Sequence, residues 1–566
     1  MSLASACGSQ AASPASHVDA GPLDRGSVDA TGTDAGGVWS PPIDPGAFGS
    51  ADLSRALTVA AFSQSNVTDS DPQVLELRPD IVPRAWGQWN TSGLLATDYL
   101  ASYPAACEAA GITFVGGLTA STIFQDEMSD GEFADAVSRD ATDAMVAESA
   151  TPPISYRGAL ASPTFRQFLI NIAELQIDAG AAGVFFDQID ASYSDASFGN
   201  DAGFDDYDVA DFGRFLCQTH AGDPAGLLPF GFAAADNFDC MASDPGAGFD
   251  YRGYIARHGA SVAPVGPANP LSVLWGTLQG SRLDPSLGTF VETYMPLVYW
   301  QAVVVAVRNY ARTKYGKEVL ITSNGLFPFV DFQSVGLYDY NPDGPGPIGV
   351  DYAPLTGSDY DGTFSFMPTF ASLKARSDRI VTASGGRPVP LLLFLDWPTS
   401  TIERYYGMPT SERQDYVRVM MAETHAYGES FALPLSTTTD SDTATALDMM
   451  DFFQTIRAFY EGHADLLIGA EDAAFSPAVS ASSVASHATV LPDGRTVVHL
   501  VNHNYAAAFL PQSGLTVTLP LPQAPTAVTI ASPDLPTDQS ATFTYGAGQA
   551  VVEVGTLVSS AMVVVR

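Results

Sequence analysis

The chain has 566 residues, 46% of them apolar, and sets 63 acidic against 25 basic side chains, for a formal charge of −38 and a pI near 4.2. That length predicts two or three domains, and that apolar fraction is ample for large cores. The acidity repels phosphate backbones and anionic bilayers, which excludes nucleic acid as a partner and disfavours polyanionic substrates, whereas a neutral glycan is compatible with it.

Cys7 follows Leu3-Ala4-Ser5-Ala6, small residues of the kind that precede a lipidated cysteine in bacterial lipoproteins. A lipid on Cys7 is therefore the expected membrane link, and the protein is expected to be secreted or held at a cell surface. No run of 18 or more apolar residues offers a membrane-spanning helix. Residues 1–50 comprise this N-terminus and a linker of Ala, Gly, Ser, Asp and Pro with no periodicity, unable to bury a core. The four cysteines are too few for a disulfide scaffold. Cys217 and Cys240 could pair in an oxidising compartment, and Cys107 is expected to be buried.

Residues 51–472 alternate apolar strands with helices. The strands expected are Leu57–Phe62, Ile81–Trp86, Ile112–Gly117, Gly183–Asp187, Val319–Ser323, Val335–Tyr338, Val389–Leu395 and Phe431–Leu435. Helices are expected around Asp98–Ala110, through Tyr299–Tyr315 and near Ala444–Glu461. The clearest helix precedes the fourth strand. Ser162 suits its N-cap and Pro163 its first position, Phe165, Phe168, Leu169 and Ile172 recur at helical spacing, and Gly180 stands where a terminating glycine belongs. Eight strands mostly alternating with helices predict an α/β fold, a (β/α)8 TIM barrel. A long insert, about 190–292 and rich in Gly, Asp, Phe and Pro, follows strand four, where such inserts build clefts or lids. In residues 473–566 helical spacing is absent, Asp493-Gly494 marks a hairpin, and Leu515, Val517, Leu519 and Leu521 alternate, which predicts a C-terminal antiparallel β-sandwich domain.

Barrel enzymes keep their chemistry at the C-terminal ends of the strands. Asp187 ends strand four after Gly183-Val184-Phe185-Phe186 and is the leading catalytic candidate. Asp339 follows strand six and Asp396 strand seven. Two carboxyls about 5–5.5 Å apart support a retaining double displacement, and wider spacing supports inversion. Asp187 is read as the nucleophile and Asp339 as the acid/base, with Asp396 as the alternative partner. Trp86, Trp89, Gln188, Asp190, Asn324, Tyr338, Trp397 and His425 lie near strand ends and supply the stacking faces, amides and polar groups that hold polyols; they are the substrate-binding candidates. No cysteine–histidine spacing suggests zinc, and no cofactor is expected. The acidic run containing Asp201, Asp205, Asp206 and Asp208 offers oxygen ligands of the kind calcium takes, without EF-hand spacing.

The run Tyr156-Arg157-Gly158…Phe165-Arg166…Gly180-Ala181-Ala182-Gly183-Val184-Phe185-Phe186-Asp187-Gln188 resembles the strand-four region of (β/α)8 glycoside hydrolases, closest to the broad α-galactosidase-like and amylase-like group and to several hydrolase-like families. Phe204-Asp205-Asp206-Tyr207…Phe212-Gly213-Arg214-Phe215-Leu216 is similar to an insert helix that follows that strand in such enzymes. The resemblance implies a nucleophile at Asp187, an acid/base on strand six at Asp339, and a terminal β-sandwich. It departs from the amylase-like pattern at Asn324, where that pattern has a glutamate, and from the glutamate-pair families at Asp187-Gln188. The expectation is a retaining glycoside hydrolase acting on a neutral oligo- or polysaccharide. The alternative is a surface lipoprotein that binds carbohydrate on a barrel scaffold without cutting it. Oligomeric state is not legible.

Overall fold

The computed structural model describes residues 59–60, 72–86, 99–149 except 141, 154–187, 203–219, 236–258 except 245, 295–324, 329–337, 391–395, 405, 407–435 and 447–566 except 506 and 507. In chain order the barrel half holds β1 (Val59–Ala60), α1 (Pro72–Leu77), β2 (Ile81–Val82), α2 (Ser102–Ala109), β3 (Thr113–Thr119), β4 (Thr122–Phe124), α3 (Asp130–Ala136), β5 (Ala147–Ser149), β6 (Ser155–Arg157), α4 (Pro163–Asp178) and β7 (Gly183–Asp187). It continues with α5 (Asp206–Thr219), α6 (Tyr251–His258), α7 (Gln301–Tyr315), β8 (Leu320–Asn324), β9 (Phe332–Leu337), β10 (Leu391–Leu395), α8 (Thr410–Ala426), β11 (Ser430–Leu433) and α9 (Met450–Gly462). Strands β1, β2, β3, β7, β8, β9, β10 and β11 pair in that order, all parallel, and β11 returns to β1 to close the ring.

Strand period two sorts the barrel residues into two layers. Phe114 and Leu118 of β3, Val184 and Phe186 of β7 and Ile321 of β8 pack outward into the core shared with the helices. Phe186 meets Trp300 edge-on at 4.9 Å between centroids. Gly117, Thr119, Phe185, Asp187 and Thr322 have the opposite parity and face the barrel interior. Because both faces are buried, these strands read as continuous apolar runs. The helix before β7 forms as its sequence requires. Ser162 Oγ accepts the Phe165 amide at 3.3 Å, Pro163 opens α4, and Gly180 takes φ +106° just past the end.

The elements depart from the sequence reading in ways that have physical causes. The second strand stops at Val82 rather than Trp86, because Pro83 has no N–H to donate and Arg84 turns to φ 51°. The long helix expected from Tyr299 starts earlier, with a π-helical turn at Met295–Trp300 leading into α7. The helix near Ala444 begins at Met450 behind a 3₁₀ turn at Leu447–Met449. A small antiparallel sheet of β4, β6 and β5 follows β3; its three-residue strands are too short to show alternation. In the insert, a disulfide joins Cys217 in the last turn of α5 to Cys240. Cys107 is buried in α2.

The C-terminal half contains ten strands: β12 (Glu471–Asp472), β13 (Ala478–Val479), β14 (Val484–Val490), β15 (Thr496–Asn502), β16 (Gln512–Pro520), β17 (Val528–Ala531), β18 (Gln539–Ser540), β19 (Phe543–Gly546), β20 (Gln549–Leu557) and β21 (Ser560–Val565). They form a sheet of order β12-β14-β15-β21-β17-β18 and a second of order β13-β16-β20-β19. Val498, Leu500, Leu515, Val517, Leu519, Val552 and Val563 fill the space between them. The Asp493-Gly494 turn connects β14 to β15, with Gly494 at φ +87°. Every residue of β15 is buried. Val498 and Leu500 face the sandwich interior, while Val497 and Val501 join the barrel core with Met420 and Met421 of α8. Burying each such side chain contributes roughly 1.5–3 kcal/mol.

Candidate functional site

Asp187 is the last residue of β7, on the interior face, at the C-terminal end of the barrel. Its neighbour in register is Thr119, and its carbonyl accepts the Ala120 amide at 2.7 Å. One carboxylate oxygen, Oδ2, lies 2.9 Å from Arg84 Nη2, and the two side chains are 3% and 6% exposed. The Arg84 guanidinium also sits 5.6 Å from the Phe185 ring centroid, one layer below. Desolvation disfavours a lone carboxylate, whereas a guanidinium at this distance favours it. Breaking the pair would leave one buried charge uncompensated.

Backbone geometry makes room for this pair. Ala85 N donates to Val115 O at 2.8 Å, so residues after β2 still run beside β3 although Arg84 has left the strand conformation. A Cβ on Gly117 would sit 2.4 Å from Trp86 O and 3.0 Å from Arg84 Cγ, and a Cβ on Gly116 would sit 2.2 Å from Gln176 Oε1. Gln176 of α4 is buried and donates to Gly117 O at 2.7 Å. The double glycine thus admits Arg84 on the inner side of β3 and Gln176 on the outer side. Beyond the end of β3, Thr119, Ser121 and Thr122 gather three buried hydroxyls within 3.4–3.5 Å of one another.

The other sequence-predicted residues divide into three groups. Asp339, Asp396, Asp190, Trp89, Gln188, Tyr338 and Trp397 lie outside the described residues. Asn324 ends β8; Ser323 pairs with Phe186, so the Asn324 backbone stands level with Asp187. Trp86 and His425 lie away from the inner rim. Trp86 is 1% exposed and wedged outside the barrel wall, with its ring 4.6 Å from Phe114 and 5.1 Å from Tyr99. Its amphipathic ring serves the layer between β3 and α2. His425 sits in the last turn of α8, which leads into the N-terminal end of β11, so it lies at the opposite end of the barrel from Asp187. It is buried against Tyr460, with Nδ1 3.1 Å from Glu429 O, and burial pushes its pKa down to about 4.

Asp205, Asp206 and Asp208 belong to the start of α5, and Asp201 lies outside the described residues. Asp205 Oδ1 accepts the Asp208 amide at 3.1 Å. Asp205 and Asp208 are both buried, and desolvation raises both carboxyls. Asp208 is driven further by the charges of Asp205 and Asp211. Asp206 instead points to solvent and pairs with Arg252 at 2.6 Å. Among the described residues, no group of three His, Cys, Asp or Glu side chains could hold a metal ion.

Arg84 is the site residue that sequence reading missed. Its signal was an arginine inside the apolar run Ile81-Val82-Pro83-Arg84-Ala85-Trp86, opposite a Gly-Gly pair on the next strand. Neither feature alone indicates which carboxylate the arginine reaches.

No family model matches the sequence, and no curated protein matches it. Solved structures do. A cycloisomaltooligosaccharide glucanotransferase from Paenibacillus sp., complexed with cycloisomaltoheptaose, matches with a TM-score of 0.50 and 10% identity over 91% of this chain and 86% of that one. A maltogenic α-amylase from Thermotoga neapolitana matches with a TM-score of 0.46 and 8% identity over 90% of this chain and 99% of that one. At 10% identity the likeness to the glucanotransferase is one of fold alone.

Proposed function

We propose that the protein is a glycoside hydrolase acting on a neutral oligo- or polysaccharide by a retaining mechanism. The observation that carries this reading is the position of Asp187, an inward-facing carboxylate at the C-terminal end of a parallel barrel strand with an arginine beside it. In the proposed reaction Asp187 attacks the anomeric carbon while Asp339 protonates the departing oxygen, with Asp396 as the alternative acid. Water then releases the sugar with that same acid acting as base. The hydroxyls of Thr119, Ser121 and Thr122 at the end of β3 and the amide of Asn324 on β8 are the groups assigned to hold sugar hydroxyls. The acidic chain suits a neutral substrate. The Cys217–Cys240 disulfide supports a location outside the reducing cytoplasm, at the cell surface through a lipid on Cys7.

The test uses a panel of aryl glycosides. Asp187→Asn should lower turnover roughly 10³-fold or more. Asp187→Ala supplied with azide should form a glycosyl azide of inverted anomeric configuration. Full activity in Asp187→Asn would overturn the assignment. One observation favours the second reading, a glycan-binding barrel without turnover: Asp187 is 2% exposed and already engaged by Arg84. On that reading no glycoside of the panel is cleaved by the wild type, while oligosaccharides still bind.

A further inference from the structure

We infer that Arg84 is a positioning residue of this reaction, holding the Asp187 carboxylate ionised and in one orientation; the inference rests on Asp187 being the nucleophile. Several features of the chain converge on this one side chain. Arg84 is a non-glycine residue at φ 51°, a conformation that costs free energy and persists where surrounding structure enforces it, often at functional sites. Gly117 leaves the space its Cγ occupies. Phe185, two residues before Asp187 on the same inner face, lies beneath its guanidinium.

A buried ion pair is weak evidence of a stabilising role, because apolar side chains of similar size often fit as well. The barrel itself supplies the contrast. Arg308 of α7 and Asp331, just before β9, form a second buried pair at 2.9 Å. There Asp331 Oδ2 also accepts the Ile321 amide at 2.7 Å, and Arg308 donates to Phe329 O at 3.3 Å. That pair ties backbone together at the N-terminal end of the strands, where barrels place stability determinants. The Arg84 pair occupies the catalytic end.

The chemistry uses such a partner twice. When Asp187 attacks, its oxygen bonds to the anomeric carbon, the bond to the aglycone oxygen breaks, and that oxygen takes a proton from the acid. When water attacks in turn, the bond from Asp187 to the sugar breaks and the carboxylate leaves with the electron pair, re-forming the ion pair with Arg84. An arginine beside the carboxylate therefore keeps it ionised in acid and favours its departure in the second step.

The experiment labels the full chain with 2,4-dinitrophenyl 2-deoxy-2-fluoro-glycosides of the gluco and galacto series in both anomeric forms, read by intact mass and peptide mapping from pH 4 to 8. Dinitrophenolate departs without a proton, so the acid limb of the labelling rate reports ionisation of the nucleophile. Arg84→Met should move that limb up by about one pH unit or more. Arg84→Lys should recover part of the shift, and Arg308→Met should leave the limb in place. In parallel, the infrared difference spectrum between wild type and Asp187→Asn is titrated with and without Arg84→Met. It reads the Asp187 carboxyl directly and needs no sugar. A label on Asp187 with an unmoved limb and unmoved infrared titration in folded Arg84→Met overturns the inference alone. A label on another carboxylate overturns the assignment of Asp187 and the inference with it.

Discussion

At the scale of single residues, the site depends as much on absent atoms as on present ones. Gly117→Ala would place a methyl 2.4 Å from Trp86 O, and the backbone at 84–86 would have to retreat. Overpacking of this kind costs roughly 1–3 kcal/mol. Urea unfolding should show that loss, and turnover should fall with it because Arg84 moves away from Asp187. Gly131→Ala is the control: its added Cβ meets nothing within 4 Å, inside α3. That variant should gain about 0.5–1 kcal/mol by lowering the chain entropy of the unfolded state. If both substitutions prove equally neutral, the close approach at Gly117 is not a constraint. Asp187 was legible in the sequence because the all-apolar strand before it fixes where the acid falls, at the rim of the barrel. Arg84 was not, because its meaning depends on a non-local approach across two strands. The placement of Trp86 and His425 was not legible for a related reason: proximity to a strand end along the chain does not decide which side of the barrel wall, or which end of the barrel, a side chain occupies.

At the scale of elements, local signals located α2, α4, α7 and α9, whereas α1, α3, α6, α8 and the short strands went unread. The cap of α4 was read from Ser162 and Pro163, and Ser162→Ala should destabilise the protein by about 1 kcal/mol, measured as a shift in the urea midpoint at constant slope. An unchanged midpoint would show that the cap contributes nothing. The barrel strands were legible because burial on both faces leaves an uninterrupted apolar run. The three strands of the β4–β6 sheet were not, since three residues cannot display a period. In the insert, the Cys217–Cys240 bridge closes a segment of sequence separation 23. Replacing both cysteines with serine should cost on the order of 3 kcal/mol if loop closure in the unfolded state dominates, and should increase proteolysis between α5 and α6. Identical cleavage with and without the bridge would exclude that role.

At the scale of the whole molecule, the seam between α8 and the sandwich contributes to the pH dependence of stability in acid. Burial pushes His425 down to about 4 and His499 of β15 down to about 3, the latter helped by His487 and His425 nearby. Both rings are neutral when folded, whereas an unfolded histidine titrates near 6.5. The folded state therefore binds fewer protons, and stability falls as pH drops below 6.5, by roughly 1.4 kcal/mol per pH unit for each histidine. Glu423 has the opposite sign. Burial raises it to about 7, against the pull of His503 at 2.5 Å, so the folded state keeps a proton the unfolded chain has lost and stability falls as pH rises from about 4.5 to 7. The two effects partly offset between pH 4.5 and 6.5, and the loss should steepen below 4.5, where Glu423 no longer contributes. Unfolding free energies at pH 4 to 7 should show this bend, and His499→Leu should flatten the acid side by about 1.4 kcal/mol per pH unit. Parallel curves for wild type and variant would remove His499 from the account. The two-sided burial of β15 has a further consequence. A sandwich cut free at residue 473 would turn Val497, Val501, Met562 and Val564 outward as a greasy stripe on an otherwise water-worthy module. Shuffling it onto another protein, like a bead restrung, would demand a new hydrophobic lid, so in this chain the two halves are expected to be inherited, expressed and lost together.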